Sequence, residues 1–500
     1  MSYANACCDE SASIARRSRG IARVGGAWVL AACWCAAVPA QAQSASTPAP
    51  KAPDSSLTWN GITLYGIVDV GLQYQTHGVP ISDYFPAGTE SIIQKNSNGS
   101  ITAVTPSNLS QSRVGLSGNE PLTGDWAGVF RLETFFNPQS GNLSDALKSQ
   151  VLNNGRALAA QSTNVDSSVA GQLFAGAAYA GFSSPTVGTF TFGRHVTLLA
   201  DGVAKYDPLA ASNAFSLIGF SGTTAGGGDT EDRRLDQSVK YTGKYGPVHF
   251  GALYQFSGAS GSANTAVQAQ IGGDFAGGSV DGYYAKKKDA IATAPLSATQ
   301  VGDLATICTT SVTPPVNPSG AQCYSSSNSL AATISDNTTY GVMAAYTVGT
   351  VRLSGGYEHI AFNNPDTPLE KGSLTIGGYV LAFTNNTPFG TVTSPKEKIL
   401  QVFWAGAKFG LSPSLDLLAA FYHYKQNSFA TGAKAGCSDN SSGGCSGTED
   451  SFSVVLDYRF SKRFDGYFGT FYTGVKDGLA NGFVFNTSTV STTTGIRFKF

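Results

Sequence analysis

Charge is scarce in this chain. Only 13% of its 500 residues are Asp, Glu, Lys or Arg, about half the usual share of 25% in a globular domain. Such scarcity ordinarily signals a large core or a membrane. Yet after residue 42 nothing approaches the roughly 18 consecutive apolar residues that a spanning helix needs, so a helical membrane protein is excluded. Methionine occurs twice and histidine five times, at His77, His195, His249, His359 and His423. No G-x-S-x-G, no H-E-x-x-H and no carboxylate pair placed for acid–base work accompanies them. The expectation is a protein that is not an enzyme and needs no cofactor. The balance of charge, 32 basic against 33 acidic residues, offers nothing to nucleic acid.

The N-terminus reads as a secretory signal over residues 1–42. Arg16, Arg17, Arg19 and Arg23 form a basic region, Val24 to Val38 an apolar one, and Ala40-Gln41-Ala42 a small-x-small cleavage site. Arg16-Arg17 as a twin-arginine signal and Leu30-Ala31-Ala32-Cys33 as a lipoprotein box are alternative readings. Removing residues 1–42 takes 4 of the 32 basic and 2 of the 33 acidic residues, leaving 28 and 31 and a formal charge of −3. Residues 43–56 are an Ala/Pro/Ser linker without periodicity. Four of the eight cysteines leave with the signal. The others form two local pairs, Cys308 with Cys323 and Cys437 with Cys445, each inside a polar Gly/Ser/Pro-rich segment. In an exported protein, two loop-stapling disulfides are the simplest reading. No further ligand lies near either pair, so no metal site is expected.

What the chain has in abundance is glycine (59 residues) and aromatic residues (11%), which suit many short strands and turns. Its last ten residues, Ser491 to Phe500, show the pattern most plainly. Ile496, Phe498 and Phe500 fall on one face of an extended strand, and Gly495, Arg497 and Lys499 on the other. An apolar face toward lipid, a charged face toward water and a neighbour on each side would satisfy such a strand. A closed transmembrane barrel provides all three. From Ile62 onward sixteen such segments can be drawn, the second at about 110–118, the ninth at 278–288 and the tenth at 337–348. Odd-to-even connections are long, the one at about 258–264 excepted, and even-to-odd connections are tight turns. Long loops alternating with tight turns over an even number of strands mark an all-β, 16-stranded antiparallel transmembrane barrel spanning residues 57–500. Both termini then face the periplasm.

At this point the chain resembles the general diffusion porins of Gram-negative bacteria, especially the β-proteobacterial branch. Leu64-Tyr-Gly-Ile-Val-Asp69, Ser112-Arg-Val-Gly-Leu-Ser-Gly118, Phe130-Arg-Leu-Glu133, Gly188-Thr-Phe-Thr-Phe-Gly-Arg194, Ser238-Val-Lys-Tyr241 and the terminal Phe500 carry the resemblance. Gly495, Phe498 and Phe500 also resemble the terminal insertion signal of outer-membrane proteins. The resemblance implies an outer-membrane homotrimer, each barrel holding its own water-filled pore. Its surroundings would be outer-membrane lipid and lipopolysaccharide, and its cargo small hydrophilic solutes and ions. The third long loop, His195 to about Arg233, would fold inward and narrow the channel. Its middle, Ala214 to Phe220, is apolar and suits packing against the inner wall.

Strand parity points Arg113, Arg131, Glu133, Arg234, Asp236, Ser238 and Lys240 into the lumen, since a charge on the lipid face costs about 2–4 kcal/mol at mid-membrane. In the family that the chain resembles, positions matching Arg113, Arg194 and Arg234 form the basic side of the constriction. Arg131 and Lys240 join them by parity. The acidic candidates on the loop side are Asp201, Asp207, Asp229, Glu231 and Asp232, the last two beside Arg233 and Arg234. The stretch Ala214–Thr224 carries no acid, so an arginine wall facing an uncharged tip should favour anions weakly. A substrate-specific channel for sugars or organic acids, or an adhesin-like barrel with binding loops, are the alternatives. The aromatic residues mostly fall on the lipid parity or near strand ends, as an interfacial girdle would.

Overall fold

The computed structural model describes residues 57–77, 99–144, 173–218, 234–257, 265–295, 329–363, 372–376, 379–383, 397–429, 436–438, 443–481, 483 and 485–500. They belong to the compact unit Ser56–Phe500. The predicted signal and linker lie outside them, as do Cys308, Cys323, Asp229, Glu231 and Asp232.

Sixteen strands close into one barrel. They are β1 (Ile62–Gln75), β2 in two segments (Ile101–Pro106 and Arg113–Pro121), β3 (Ala127–Phe135), β4 (Ala177–Ser184), β5 (Gly188–Val196), β6 (Arg234–Tyr245), β7 (Val248–Gln255) and β8 (Ala266–Phe275). The second half comprises β9 (Gly278–Pro295), β10 (Ser329–Val348), β11 (Val351–Asn363), β12 (Lys398–Ser412), β13 (Leu415–Gln426), β14 (Gly447–Arg459), β15 (Phe464–Asp477) and β16 (Ser488–Lys499). Each strand pairs antiparallel with its neighbours in sequence. The last pairs with the first, Val70 opposite Ile496 and Gln75 opposite Ser491. The terminal residue completes the seam, because Phe500 and Gly66 exchange backbone hydrogen bonds of 2.9 and 3.1 Å. Around the sixteen strands, among the described residues, the barrel has no open seam, which is what a strand in hydrocarbon requires.

Alternation along the strands sorts the residues as the period of two demands. Ile496 and Phe498 are exposed on the outside, while Arg497 on the inside bonds Asp465 at 2.9 Å and Ser110 at 2.7 Å. The tight turns use glycine where the chain must turn left-handed, as at Gly349 (φ +58°) between β10 and β11. The aromatic rings Tyr458, Phe460, Phe464, Phe498 and Phe500 follow one another on the outside at the turn end, with centroids 5.0 to 6.5 Å apart.

Three elements differ from the sequence reading. The second strand begins earlier, at Ile101, and is interrupted at residues 107–112. Pro106 lacks an N–H to continue the ladder, and Ser107 takes φ +60°. The ninth and tenth strands run on to Pro295 and back from Ser329, making a ribbon taller than its neighbours with a bulge between Lys287 and Ala290. A hairpin of residues 372–376 and 379–383 adds to the start of β10, Ser329 opposite Val380. In these stretches small residues and unbroken apolar runs replace a clear alternation, which hides strand ends from the eye.

Cys437 and Cys445 form a disulfide with Cα atoms 5.0 Å apart, so the staple closes a short loop between β13 and β14.

The lipid-facing assignment is directly testable. Val454, exposed at 53% in the middle of β14, should tolerate Leu and reject charge. Val454→Arg is expected to cost about 2–4 kcal/mol of folding free energy in urea titrations from phospholipid vesicles. A change within 0.5 kcal/mol would place this position away from hydrocarbon.

Candidate functional site

The third loop leaves β5 and turns into the barrel rather than away from it. It opens with a helix, α1 (Leu198–Tyr206). Thr197 caps the helix, its Oγ1 accepting from the Ala200 N–H at 3.1 Å. A side chain of the wall caps it too: Gln268 Oε1 accepts from the Leu198 and Leu199 N–H groups at 2.8 and 3.2 Å. The free donors of the first helical turn are thus satisfied by the barrel itself.

Beyond the helix the loop runs along the inner wall. Val203, Tyr206, Leu209, Phe215, Leu217 and Ile218 are buried with Met343, Ile360, Trp404, Tyr422, Val455 and Phe471 of the strands. Phe215 meets the Tyr467 ring edge-on at 6.3 Å. The expected apolar middle of the loop, described as far as Ile218, therefore finds an apolar bed, and that bed adds to the reading of the aromatic residues. Besides the many outward rings, the inner face of the barrel carries Tyr283, Phe362, Trp404, Tyr422, Tyr424, Tyr467 and Phe471, all buried. They lie within the same cluster as the loop, where burial of apolar area favours an inward position. Alternation turns these rings inward but cannot show that a loop covers them.

Polar anchors fix the loop's course. Lys205 Nζ pairs with Asp281 at 3.2 Å and lies 4.6 Å from the Tyr206 ring centroid. Burial alone would lower the Lys205 pKa, but its bonds to Tyr206 and Asp281 hold it above the usual lysine value. Asp281 also receives the Tyr283 hydroxyl at 3.0 Å and bonds His249 of β7. Asp207, which sequence placed among the loop-side acids, is buried rather than presented to the lumen: its carboxylate accepts from Tyr422 OH at 2.7 Å and from the Leu209 and Ala211 N–H groups. It anchors the turn after α1. Burial raises its pKa, against the pull of those donors. Asp201 is exposed and pairs with Lys240 Nζ at 2.5 Å.

Away from this bed, β2, β3, β5 and β6 carry the basic residues. Arg113 and Arg131 both reach Glu133, at 3.6 and 2.7 Å. Arg131 Nε also donates to Tyr65 OH at 2.7 Å, and Tyr65 OH donates to Glu133 at 3.0 Å. Arg194 is nearly buried, donating from Nε and Nη2 to the Ala175 carbonyl at 3.0 and 2.8 Å and pairing with Asp236. Arg234 donates to the Gly176 carbonyl at 3.1 Å and stacks over the Phe135 ring at 4.5 Å. Small residues at 175 and 176 permit this approach. A Cβ at Gly176 would stand 2.5 Å from Glu133 Oε1. Arg113 and Arg131 keep 27% and 38% of their side chains exposed, while Arg194 keeps 7%. The first two face water and the third braces the wall.

Five predicted basic residues thus gather with three carboxylates, Glu133, Asp236 and Asp201. Glu133 and Asp236 were legible as inward by parity, but their place among the arginines was not. Both ring nitrogens of His195 are bound by wall hydroxyls, Ser238 Oγ at 2.8 Å and Thr191 Oγ1 at 2.9 Å. His423 faces outward and bonds Asp450 at 2.7 Å. Among the described residues no group of three or more His, Cys, Asp or Glu side chains is placed to hold a metal ion.

A barrel of this strand number, with its third loop folded inside on one arc of the wall and basic residues on another, is the geometry of a channel. The family profile described as Gram-negative porin matches residues 27–478. The chain belongs to the Gram-negative porin family. Its location is therefore the outer membrane. An outer membrane porin protein of Bordetella pertussis is 28% identical over 197 residues, 39% of this chain and 43% of that relative, so the match spans less than half of its length. Among solved structures, an anion-selective porin from Comamonas acidovorans superposes with a TM-score of 0.54 at 16% identity, covering 88% of this chain and 99% of that one. OmpT, an outer membrane protein of Vibrio cholerae, gives a TM-score of 0.51 at 13% identity, covering 89% and 99%. At these identities the structural likeness concerns the fold.

The loop's apolar anchor can be tested in the porin itself. Phe215→Ala removes a fully buried ring, and a loss of about 3–5 kcal/mol is expected for such a truncation. Limited proteolysis of the folded barrel should then cleave the third loop much faster than in the parent. Unchanged cleavage would show that the ring does not hold the loop.

Proposed function

We propose that this porin forms a water-filled channel for passive diffusion of small hydrophilic solutes and ions, with a weak preference for anions, and that it works as a homotrimer among outer-membrane lipid and lipopolysaccharide. The observation that carries the reading is the pairing of an inward-folded loop with a wall of cations. Arg113, Arg131, Arg194, Arg234 and Lys240 outnumber Glu133, Asp236 and Asp201. A pore selects by its width and by the charge facing its narrowest part, and the excess here is positive. The preference is weak because four of the five cations are tied to carboxylates within 3.6 Å. The anion-selective porin of Comamonas acidovorans agrees in sign, and OmpT of Vibrio cholerae, of the same fold, has a trimer form.

A sugar-specific channel would present aromatic rings along the water path. The inner rings of this barrel, such as Trp404 and Tyr422, lie buried in the cluster that includes the loop, so they favour the general channel over the specific one.

Planar bilayers under a KCl gradient test the proposal. Openings in threes with a reversal potential on the chloride side support it, and a clear cation preference sinks the selectivity argument. The wall also makes a sharper prediction. Glu133→Gln frees Arg113 and Arg131 from their shared carboxylate and should raise the chloride-to-potassium permeability ratio roughly twofold, while Arg113→Ala with Arg131→Ala should lower it by a similar factor. Equal ratios in all three proteins would show that the current does not pass this wall.

A further inference from the structure

The interruption of β2 is not a defect in the barrel; it is where the constricting loop is held at Ser212–Ala214. Residues 107–112 leave the ladder and turn inward, and one side chain of β1 gathers them. Asp69 Oδ2 accepts from the Leu109 and Ser110 N–H groups at 2.9 and 2.8 Å. Its Oδ1 accepts from the Asn108 N–H at 3.2 Å and from Tyr467 OH at 2.6 Å. Ser112 Oγ bridges to the Asp69 backbone, accepting from its N–H at 2.9 Å and donating to its carbonyl at 3.0 Å. The Ser107 N–H gives the same carbonyl a second bond at 2.7 Å. Backbone groups that lost their cross-strand partners are thereby paired again, as a membrane-embedded strand requires.

The excursion in turn holds the third loop by three bonds. Ser212 Oγ donates to the Asn108 carbonyl at 2.8 Å, the Ala214 N–H donates to the same carbonyl at 3.0 Å, and Asn213 Nδ2 donates to the Ser107 carbonyl at 2.9 Å. Asn108 Nδ2 is itself fixed by Tyr467 OH at 3.0 Å, and Phe215 packs on the same tyrosine. Asp69, Ser107, Ser112 and Asn108 are all buried.

We infer that Asp69 is a positioning residue for the pore: through the break in β2 it clamps the Ser212–Ala214 stretch of the constricting loop and so sets the width and steadiness of the channel. The inference rests on the channel reading above. The chemistry of the contact makes the carboxylate hard to replace. All four groups that meet its two oxygens donate, so a carboxylate satisfies every one of them. An amide offers one acceptor, and its NH2 group must face donors whichever way it is turned. A glutamate side chain is one methylene too long for a site with no exposed surface.

Single-channel recording of folded, inserted protein is the test, with parent, Asp69→Asn, Tyr467→Phe and the double variant Ser212→Ala/Asn213→Ala compared. The loop variants alter only the far side of the clamp and leave the barrel wall intact, so they answer the question even where Asp69→Asn does not fold. A roughly twofold rise in open-channel current noise, with closure at lower voltage, is expected for Asp69→Asn and for the loop pair, and a smaller rise for Tyr467→Phe. Combining Asp69→Asn with the loop pair should add little, since one clamp cannot be opened twice. A residue that merely stabilised the barrel would lower its melting temperature and leave noise and closing voltage unchanged; that result in the loop pair overturns the inference. A folded parent that passes no current would instead overturn the channel reading.

Discussion

Everything in this molecule depends on one requirement, that no backbone N–H or C=O may face hydrocarbon without a partner. The pairing of β1 with β16 meets it at the seam, where Val70 lies opposite Ile496 and Phe500 bonds Gly66. The same requirement shapes the place where β2 breaks. When residues 107–112 leave the ladder, Ser107 and Ser112 return to the Asp69 backbone with their own groups. A closed hydrogen-bonded cylinder then has an inside, and the third loop can use it.

That inside is neither uniformly wet nor uniformly charged. One arc of the wall is apolar and aromatic and is covered by the loop. Another arc is basic and remains partly open to water. The division reconciles two features that would conflict in a plain pore: Phe215 and Ile218 on a connecting loop, and rings such as Trp404 and Tyr422 on lumen-facing positions. Each set hides the other from water, which is the ordinary hydrophobic driving force acting between a loop and a wall. The arginines are left with carboxylates and carbonyls as partners. Arg194 is spent on the Ala175 carbonyl and Asp236, whereas Arg113 and Arg131 share Glu133 and still meet water. Identity of residue type does not imply identity of role.

Much of this was legible in one dimension. A period of two in hydropathy is set by the geometry of a strand, so the lumenal side of Arg113, Arg131, Lys240 and Arg497 follows from their neighbours. The alternation of long and short connections likewise follows from a barrel with two unlike ends. Strand ends were less legible, because the Ala, Ser and Thr residues at the rim of β9 and β10 carry little hydropathy contrast. Asp207 shows the other kind of failure. An acid in the loop is as readable as Asp201, but burial against Tyr422 depends on a strand that lies 215 residues away in sequence.

Sequence alone therefore determined the class of fold, the direction each strand residue faces and the family to which the chain belongs, since these rest on local periodicity and on motif order. Tertiary structure decided which arginine is buried as a brace and which still meets water, where the loop finds its bed, and how the broken strand is repaired. The reason is distance along the chain: Asp69 and Tyr467 meet across 398 residues, and no local pattern encodes a contact that only closure of the barrel creates.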